Sequence, residues 1–213
     1  MTVQRASHLS GSFHPPMQVK ISPLRKLDIA IAALILAGGK GHRFGGPKLM
    51  ADLGGQPLGL HCVRPVLALN LPLNFAVCGP GAPDYAARGF SCLGLAPADA
   101  PLSRSLALGI AAAQAAGAGA VLVALADMPL VPLAHFQHLI AQFDGAVIGT
   151  EAGGTAMPPA VFGQSLFGQL LTLEGDRGAG ALLASAPRIA LDPALALDVD
   201  TPEDLAEARR RLG

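Results

Sequence analysis

Residues 29–50 read IAIAALILAGGKGHRFGGPKLM, an apolar run followed by a glycine-rich segment that carries three cations. The run 29–36 is apolar throughout, as expected for a strand that is covered on both faces in a parallel sheet. The next segment cannot continue the strand, because its glycines allow positive φ and let the backbone approach a ligand closely. The glycines and cations of this segment are Gly38, Gly39, Gly41, Gly45 and Gly46, with Lys40, Arg43 and Lys48. Backbone N–H groups and fixed cations at the carboxyl end of a parallel strand predict a phosphate-binding site.

Two common phosphate-binding motifs do not fit this segment. A P-loop requires G-x-x-x-x-G-K-[ST], but Pro47 follows the second glycine and Leu49 replaces the hydroxyl that would hold magnesium. A dinucleotide fingerprint requires G-x-G-x-x-G, but Phe44 stands at the third glycine position. It also requires an acidic residue after the second strand, where residues 78–81 read CGPG. An oxidoreductase with a variant glycine loop is therefore a rival hypothesis, which nicotinamide fluorescence on titration would test.

The composition limits the ligand to a small molecule. The chain has 213 residues, 51% of them hydrophobic and 14% charged, which suits a single α/β domain with a fully covered sheet. Fifteen basic and fifteen acidic residues leave no net charge. The overall field will not attract nucleic acid or an anionic membrane, so anion binding has to be local. This favours a small phosphorylated ligand over a polymer.

Several features predict a cytoplasmic protein with a flexible extension over residues 1–28. The first 27 residues have no acidic side chain and contain three prolines, and no hydrophobic signal-peptide core follows Met1. The longest uncharged stretch, 105–126, divides into a helix and a strand more naturally than it forms a membrane span. The three cysteines lack metal-ligand spacing and are predicted to be buried thiols of a cytoplasmic protein.

Strand and helix patterns alternate along the rest of the chain, which predicts a three-layer α/β fold. Predicted strands are 29–36, 73–77, 91–95, 120–126 and 146–149, and predicted helices are 58–69, 103–116, 133–143, 165–173, 178–185 and 202–212. Pro65 should shorten the first helix. The last helix has Thr201 as its N-cap, Pro202 at its first position and Asp204 to complete a capping box.

Acidic residues at two strand ends predict a metal site. Asp127 follows the apolar run 120–126, and Pro129 disfavours a helix directly after it. Its carboxylate is then held at the carboxyl edge of the sheet, where α/β proteins bind ligands. Asp198 and Asp200 flank Val199, so in an extended stretch they would point to opposite sides. Asp200 is the preferred second magnesium ligand, and Asp198 is expected to be structural or to act through a neighbour.

Three stretches together resemble the nucleotidyltransferases of sugar-phosphate and molybdenum-cofactor metabolism. The loop LAGGKGHRFGGPK at 36–48 resembles the signature L-A-[AG]-G-x-[GS]-x-R-[MF]-G-x-x-K. The stretch LADMP at 125–129 resembles the D-x-P magnesium motif, and DVDTPEDL at 198–205 resembles the closing D-[IV]-[DN]-T-P-E-D-L. The resemblance extends over 29–212 and implies that 29–213 is an NTP transferase domain.

The resemblance implies a Rossmann-like nucleotide-diphospho-sugar transferase fold with a mixed, mostly parallel seven-stranded sheet between helices. It implies catalytic roles for Arg43 and Lys48 and Mg²⁺ bound by Asp127 and Asp200. The residues implied in nucleotide binding are Leu36, Ala37, Gly38, Gly39, Lys40, Gly41 and Ser103.

The expected substrates are CTP or GTP and a phosphorylated small-molecule acceptor, with molybdopterin as the preferred acceptor. LEGDRGA at 173–179 and LSRSLALG at 102–109 resemble segments of molybdenum-cofactor cytidylyltransferases, whereas Gly38 is typical of guanylyl transfer. The balance slightly favours CTP. Gly180 departs from the family segment, which ends in arginine at this position, and 157–159 reads MPP where a His-Pro pair is common. Both departures lie toward the acceptor side.

Two further hypotheses arise from the same resemblance. One is a sugar-phosphate nucleotidyltransferase, although such chains are usually longer and lack the 173–179 segment. The other is a non-catalytic nucleotide-binding accessory protein for molybdenum enzymes, which would bind an NTP without releasing pyrophosphate. For a molybdenum-cofactor transferase, and for such an accessory protein, a molybdoenzyme or its chaperone is a candidate partner.

Overall fold

The computed structural model describes residues 29–39, 41, 43–175 and 179–213. The predicted extension over 1–28 and the predicted nucleotide contact of Lys40 lie outside these residues. Within them, the strands are β1 (Ile31–Ala37), β2 (Asp52–Leu53), β3 (Gln56–Pro57), β4 (Leu73–Cys78), β5 (Ser91–Gly94), β6 (Ala120–Leu125), β7 (Val147–Ala152), β8 (Thr155–Gly163) and β9 (Arg188–Ala190). The α-helices are α1 (Val63–Leu67), α2 (Leu102–Ala115), α3 (Leu133–Gln142), α4 (Phe167–Leu171), α5 (Gly180–Ala184) and α6 (Pro202–Leu212).

A seven-stranded sheet in the order β5-β4-β1-β6-β8-β7-β9 forms the centre of the molecule. Strands β5, β4, β1 and β6 are parallel to one another, β8 is antiparallel to both of its neighbours, and β9 is parallel to β7. Strands β2 and β3 form a separate short hairpin. The predicted mixed and mostly parallel α/β sheet is confirmed.

Helices cover both faces of the sheet, which confirms the three layers. Side chains alternate along β1, so Ala33 and Ile35 pack on one face while Leu34 and Leu36 pack on the other. The first face is covered by α1 and α3, and the second by α2, α4 and α5. Since β1 is apolar on both sides, the continuous apolar run in the sequence is explained.

The structure corrects three sequence predictions. Strand β8 occupies residues left without an element, and the first helix is a 3₁₀ turn at Leu58–Leu60 followed by the short α1. Pro65 lies in the first turn of α1, where it has no intrahelical N–H bond to lose. All three cysteines are free, but only Cys62 is buried, whereas Cys92 is exposed. Among the described helices, none is long and apolar enough to cross a membrane.

We expect Gly163→Ala to destabilise the fold, because an added Cβ would overlap the carbonyl oxygen of Gly145. Gly163 ends β8 opposite Ala120 of β6, so the backbone has little room to shift. Overpacking against backbone should lower the free energy of unfolding by about 3 kcal/mol and the melting temperature by roughly 10 °C.

The matched control is Gly168→Ala in α4, where a Cβ would meet no atom within 4 Å. This substitution should raise the free energy of unfolding by about 0.5 kcal/mol, since alanine favours a helix. Thermal unfolding of both variants measures the difference. Equal melting temperatures would contradict the steric account of Gly163.

Candidate active site

The glycine-rich segment after β1 forms a tight loop at the carboxyl edge of the sheet. Gly41 has φ +57, and its carbonyl oxygen accepts hydrogen bonds from the N–H groups of Phe44 and Gly45. A Cβ on Gly41 would crowd the carbonyl oxygen of Gly46. Glycine is therefore required at this position for both conformation and space.

The loop that follows β4 packs directly against this segment. The Gly79 N–H donates to the carbonyl oxygen of Ala37 at 3.0 Å, and a Cβ on Gly79 would lie 3.1 Å from the Cα of Gly38. A Cβ on Gly38 would in turn lie 2.8 Å from both Leu95 and the Ser105 hydroxyl. The start of the glycine loop is thus enclosed by protein on one side.

Asp127 follows β6, and the chain near residue 200 returns to lie beside it. The Val199 N–H donates to the carbonyl oxygen of Asp127 at 3.0 Å. The Val199 side chain is fully buried in a small cluster with Leu58 and Leu205. This backbone bond and this buried anchor bring residues 198 and 200 to the end of β6.

The start of α6 fixes Asp200 further. The Asp204 carboxylate accepts from the backbone N–H groups of Asp200 and Thr201, and the Thr201 hydroxyl accepts from the Asp204 N–H. The predicted capping box with Pro202 at the first helical position is confirmed. The carboxylate also accepts from the Thr201 hydroxyl, and the hydrogen bonds that it accepts lower the pKa of Asp204 despite its partial desolvation.

Lys48 lies at the centre of the site. Its Nζ atom is 2.8 Å from Asp127 Oδ2 and 2.7 Å from Asp200 Oδ1, and only 4% of the residue is exposed. Burial by itself would lower the pKa of Lys48, but the charge of Asp127 and the hydrogen bonds with both carboxylates raise it above its ordinary value. Lys48 is therefore a fixed cation that bridges two parts of the chain 73 residues apart.

Arg43 supplies a second cation at the entrance of the site. Its Nη1 atom lies 3.0 Å from Asp200 Oδ2, while 78% of its side chain stays exposed. An exposed pair of this kind contributes little to stability. The Arg43 side chain can therefore leave Asp200 and bind an anionic ligand with little loss of protein stability.

Three carboxylates converge beside Lys48. One oxygen from each of Asp127, Asp198 and Asp200 lies within 4.8 Å of the others. The expectation that Asp198 points away from Asp200 is wrong, because residues 197–200 form no regular strand and side-chain alternation does not apply. Although Asp198 is exposed, desolvation of its carboxyl group and the charge of Asp127 raise its pKa to about 7.

This donor set fits a divalent cation of the hard type. Carboxylate oxygens are the ligands that Mg²⁺ and Ca²⁺ take in proteins, and Mg²⁺ is commonly held by one or two carboxylates together with substrate phosphates. The raised pKa of Asp198 also reflects negative charge that a bound cation would relieve.

The loop and two of the three carboxylates, Asp127 and Asp200, line one cavity of about 280 Å³. Its lining includes most of the residues predicted for the site, namely Gly38, Gly39, Gly41, Arg43, Lys48, Asp127 and Asp200. Leu36 and Ala37 are buried in β1 below the loop, and their backbone leads into it. The structure thus collects cations, carboxylates and a glycine loop at one edge of the sheet, where a triphosphate with a metal ion would fit.

One residue predicted to bind nucleotide does not line this cavity, and a nearby residue that was not predicted does. Ser103 is buried, and its N–H donates to the carbonyl oxygen of Gly175. Ser105, two residues further along α2, lines the cavity. The sequence signal for Ser105 was present, because it belongs to the same SRSL stretch. Asp198 is the other site residue that sequence reasoning set aside.

Comparisons with known proteins agree with this arrangement. A family model for the MobA-like NTP transferase domain matches residues 33–191. The chain is 35% identical to a molybdenum cofactor guanylyltransferase of Cereibacter sphaeroides over 187 residues, which cover 84% of this chain and 95% of the relative. It is 28% identical to the purine catabolism protein PucB of Bacillus subtilis (strain 168) over 199 residues, or 85% of this chain and 97% of PucB.

Solved structures support the fold. The crystal structure of Rv0371c from Mycobacterium tuberculosis H37Rv superposes with a TM-score of 0.75, covering 85% of this chain and 98% of the other. The two sequences are 21% identical, so this likeness concerns the fold alone. The predicted Rossmann-like fold of nucleotide-sugar transferases is confirmed.

Proposed function

The chain belongs to the MobA-like NTP transferase family, and from this premise we propose that it transfers a nucleoside monophosphate from CTP or GTP to a phosphorylated acceptor and releases pyrophosphate. The observation that carries the proposal is the position of Lys48. It lies between Asp127 and Asp200, in the same cavity as the glycine loop. A cation, two carboxylates and a glycine-rich backbone in one cavity are the groups that a triphosphate with a divalent cation requires.

In the proposed reaction, an acceptor phosphate oxygen attacks the α-phosphorus in line. A bond forms between this oxygen and the α-phosphorus. The bond from the α-phosphorus to the oxygen that bridges the α- and β-phosphates breaks, and pyrophosphate leaves with the electron pair. The second pKa of a phosphate monoester is about 6, so the acceptor is mostly ionised near neutral pH and needs no general base. Phosphoryl transfer of this kind depends mainly on positioning and charge stabilisation.

Each residue of the site has a proposed task. The backbone of Gly38, Gly39 and Gly41 binds the triphosphate, Arg43 holds its outer phosphates, and Lys48 faces the charge that grows on the α-phosphate. Asp127 and Asp200 would hold the divalent cation, which we take to be Mg²⁺ and which supplies charge neutralisation between donor and acceptor when bound. Asp198 lies beside these two carboxylates and would help to orient them.

The proposal also concerns the base of the donor nucleotide and the identity of the acceptor. The guanylyltransferase relatives and Gly38 support GTP, whereas the segment 173–179 supports CTP. Molybdopterin as the acceptor is supported by the names of the same relatives. The alternative is a nucleotide-binding accessory protein without transfer activity, which would use the same loop and carboxylates.

Pyrophosphate release measures the proposed function directly. The purified chain is incubated with each of the four NTPs and Mg²⁺, with and without molybdopterin, and with a sugar phosphate as a third arm. We expect release that depends on molybdopterin and on CTP or GTP. Release with the sugar phosphate alone would select the sugar-phosphate enzyme. Nucleotide binding without release in any arm would contradict transfer and favour the accessory protein.

A further inference from the structure

Both chain neighbours of Lys48 pack closely against other parts of the protein. A Cβ on Gly81 would lie 2.9 Å from the Cβ of Pro47, so no side chain fits between Gly81 and the residue before Lys48. A Cβ on Gly59 would lie 3.2 Å from the Cβ of Leu49, so Gly59 supports the residue after Lys48. The backbone on either side of the lysine is therefore held by close packing.

Tyr85 holds Gly59 in place, because its hydroxyl donates to the Gly59 carbonyl oxygen at 2.7 Å. The Tyr85 side chain is fully buried and packs edge-on against Phe90, with ring centroids 6.1 Å apart. Burial raises the pKa of Tyr85 above its ordinary value, so the hydroxyl stays protonated and remains a donor. The Cys62 thiol also donates to this oxygen at 3.4 Å, but a thiol is a weak donor.

Gly81 and Tyr85 belong to one loop, residues 79–85, which follows β4. At the start of this loop, Gly79 packs against Gly38, as described above. The loop 79–85 thus contacts the glycine-rich segment near its beginning and at its end. None of its residues is among those that line the cavity of the candidate active site, so any effect on a ligand there passes through the neighbours of the loop.

We propose that the loop 79–85 positions Lys48 and the glycine-rich segment for a triphosphate. Gly81 and Tyr85 are the positioning residues of this loop, and they act without touching the reactants. A shift of Pro47 is passed directly to Lys48, which follows it in the chain. Binding groups have to be held within about 0.5 Å of their productive geometry, so these supporting contacts contribute to affinity. The inference rests on the proposed function and adds residues to it.

The probe is inorganic triphosphate with Mg²⁺, because it carries neither a base nor an acceptor and reports on the phosphate site alone. Calorimetry measures its affinity for the full chain and for Gly81→Ala and Gly117→Ala. The two glycines have φ +76 and +82, so alanine is strained to a similar extent at either position. An added Cβ would overlap Pro47 at position 81, whereas at position 117 it would meet no atom within 4 Å. We expect Gly81→Ala to weaken binding about tenfold and Gly117→Ala to leave it unchanged.

A second pair of variants tests Tyr85. Tyr85→Phe keeps the buried ring and removes the hydroxyl that donates to Gly59. The control Thr150→Val removes another buried hydroxyl, which donates to the carbonyl oxygen of Pro159 at 2.7 Å. Both variants should unfold at a lower temperature, because each loses a buried hydrogen bond. Only Tyr85→Phe should bind triphosphate more weakly, by about fivefold.

Unchanged triphosphate affinity in Gly81→Ala or in Tyr85→Phe would overturn the role of that residue. An equal loss in the matched control would also overturn it, because the effect would then follow from lowered stability alone. Binding is measured at a temperature at which circular dichroism shows every variant to be folded. Failure of the unchanged chain to bind triphosphate would overturn both the proposed function and this inference. Weaker binding in the two variants alone would support the inference even without pyrophosphate release in the transfer assay.

Discussion

Lys48→Met should lower kcat for nucleotide transfer on the order of 10² to 10³-fold. The variant keeps the length and apolar stem of the side chain but removes the one buried cation among the described residues of the site. A fixed charge that faces developing negative charge in a partly desolvated cavity contributes an effect of this size. Pyrophosphate release under saturating NTP and acceptor measures the change.

The same variant should be less stable without a divalent cation, because Asp127 and Asp200 then lose the ammonium group that neutralises both. Addition of Mg²⁺ should raise its melting temperature by more than it raises that of the unchanged chain. The control Arg88→Met removes an exposed cation outside the cavity. It should change neither kcat nor the rise in melting temperature that Mg²⁺ causes. A kcat for Lys48→Met within threefold of the unchanged chain would remove Lys48 from the proposed mechanism.

Asp127→Asn is expected to reduce transfer by roughly 10²-fold or more and to weaken divalent cation binding in the absence of nucleotide. The substitution preserves the shape of the side chain while removing a negative charge that lies 2.8 Å from Lys48 Nζ, just after β6. A metal site that supplies several kcal/mol of charge stabilisation should lose a large part of it with this ligand. Calorimetry with Mn²⁺ measures the affinity, and pyrophosphate release measures the rate.

Parallel variants of the other two carboxylates separate their roles. We expect Asp200→Asn to weaken Mn²⁺ binding nearly as much as Asp127→Asn, and Asp198→Asn to weaken it less, by about tenfold. Asp144→Asn changes an exposed carboxylate far along the chain that accepts a backbone hydrogen bond, which asparagine also accepts. A larger effect at Asp198 than at Asp200 would reverse the proposed assignment of ligands.

The parts of the fold predicted well from sequence are those in which local pattern and tertiary environment agree. β1 and β6 are apolar on both faces because helices cover both sides of the sheet, so their runs are visible in the sequence. Thr201, Pro202 and Asp204 form their cap from neighbouring residues alone. The location of Asp127 follows from the end of β6, since the carboxyl edge of a parallel sheet is a general ligand site.

The parts that sequence did not predict depend on contacts between distant segments. β8 contains Pro158 and Pro159, which lack N–H donors and so disrupted the strand pattern. β8 pairs with β6 through residues 160–163, so both prolines lie just before the paired segment. The position of Asp198 depends on the bond from Val199 to Asp127, and no local rule predicts a bond between residues so far apart.

The hydrogen bond between Val199 and Asp127 also affects the order in which the parts of the candidate site come together. Two of the three carboxylates of the cluster, Asp198 and Asp200, come from the segment just before α6, whereas the glycine loop follows β1. A nascent polypeptide that has not yet emerged as far as Asp200 holds the loop and Asp127 but lacks the remaining acids. We therefore expect a chain that ends before Asp198 to bind nucleotide and cation more weakly than the full chain.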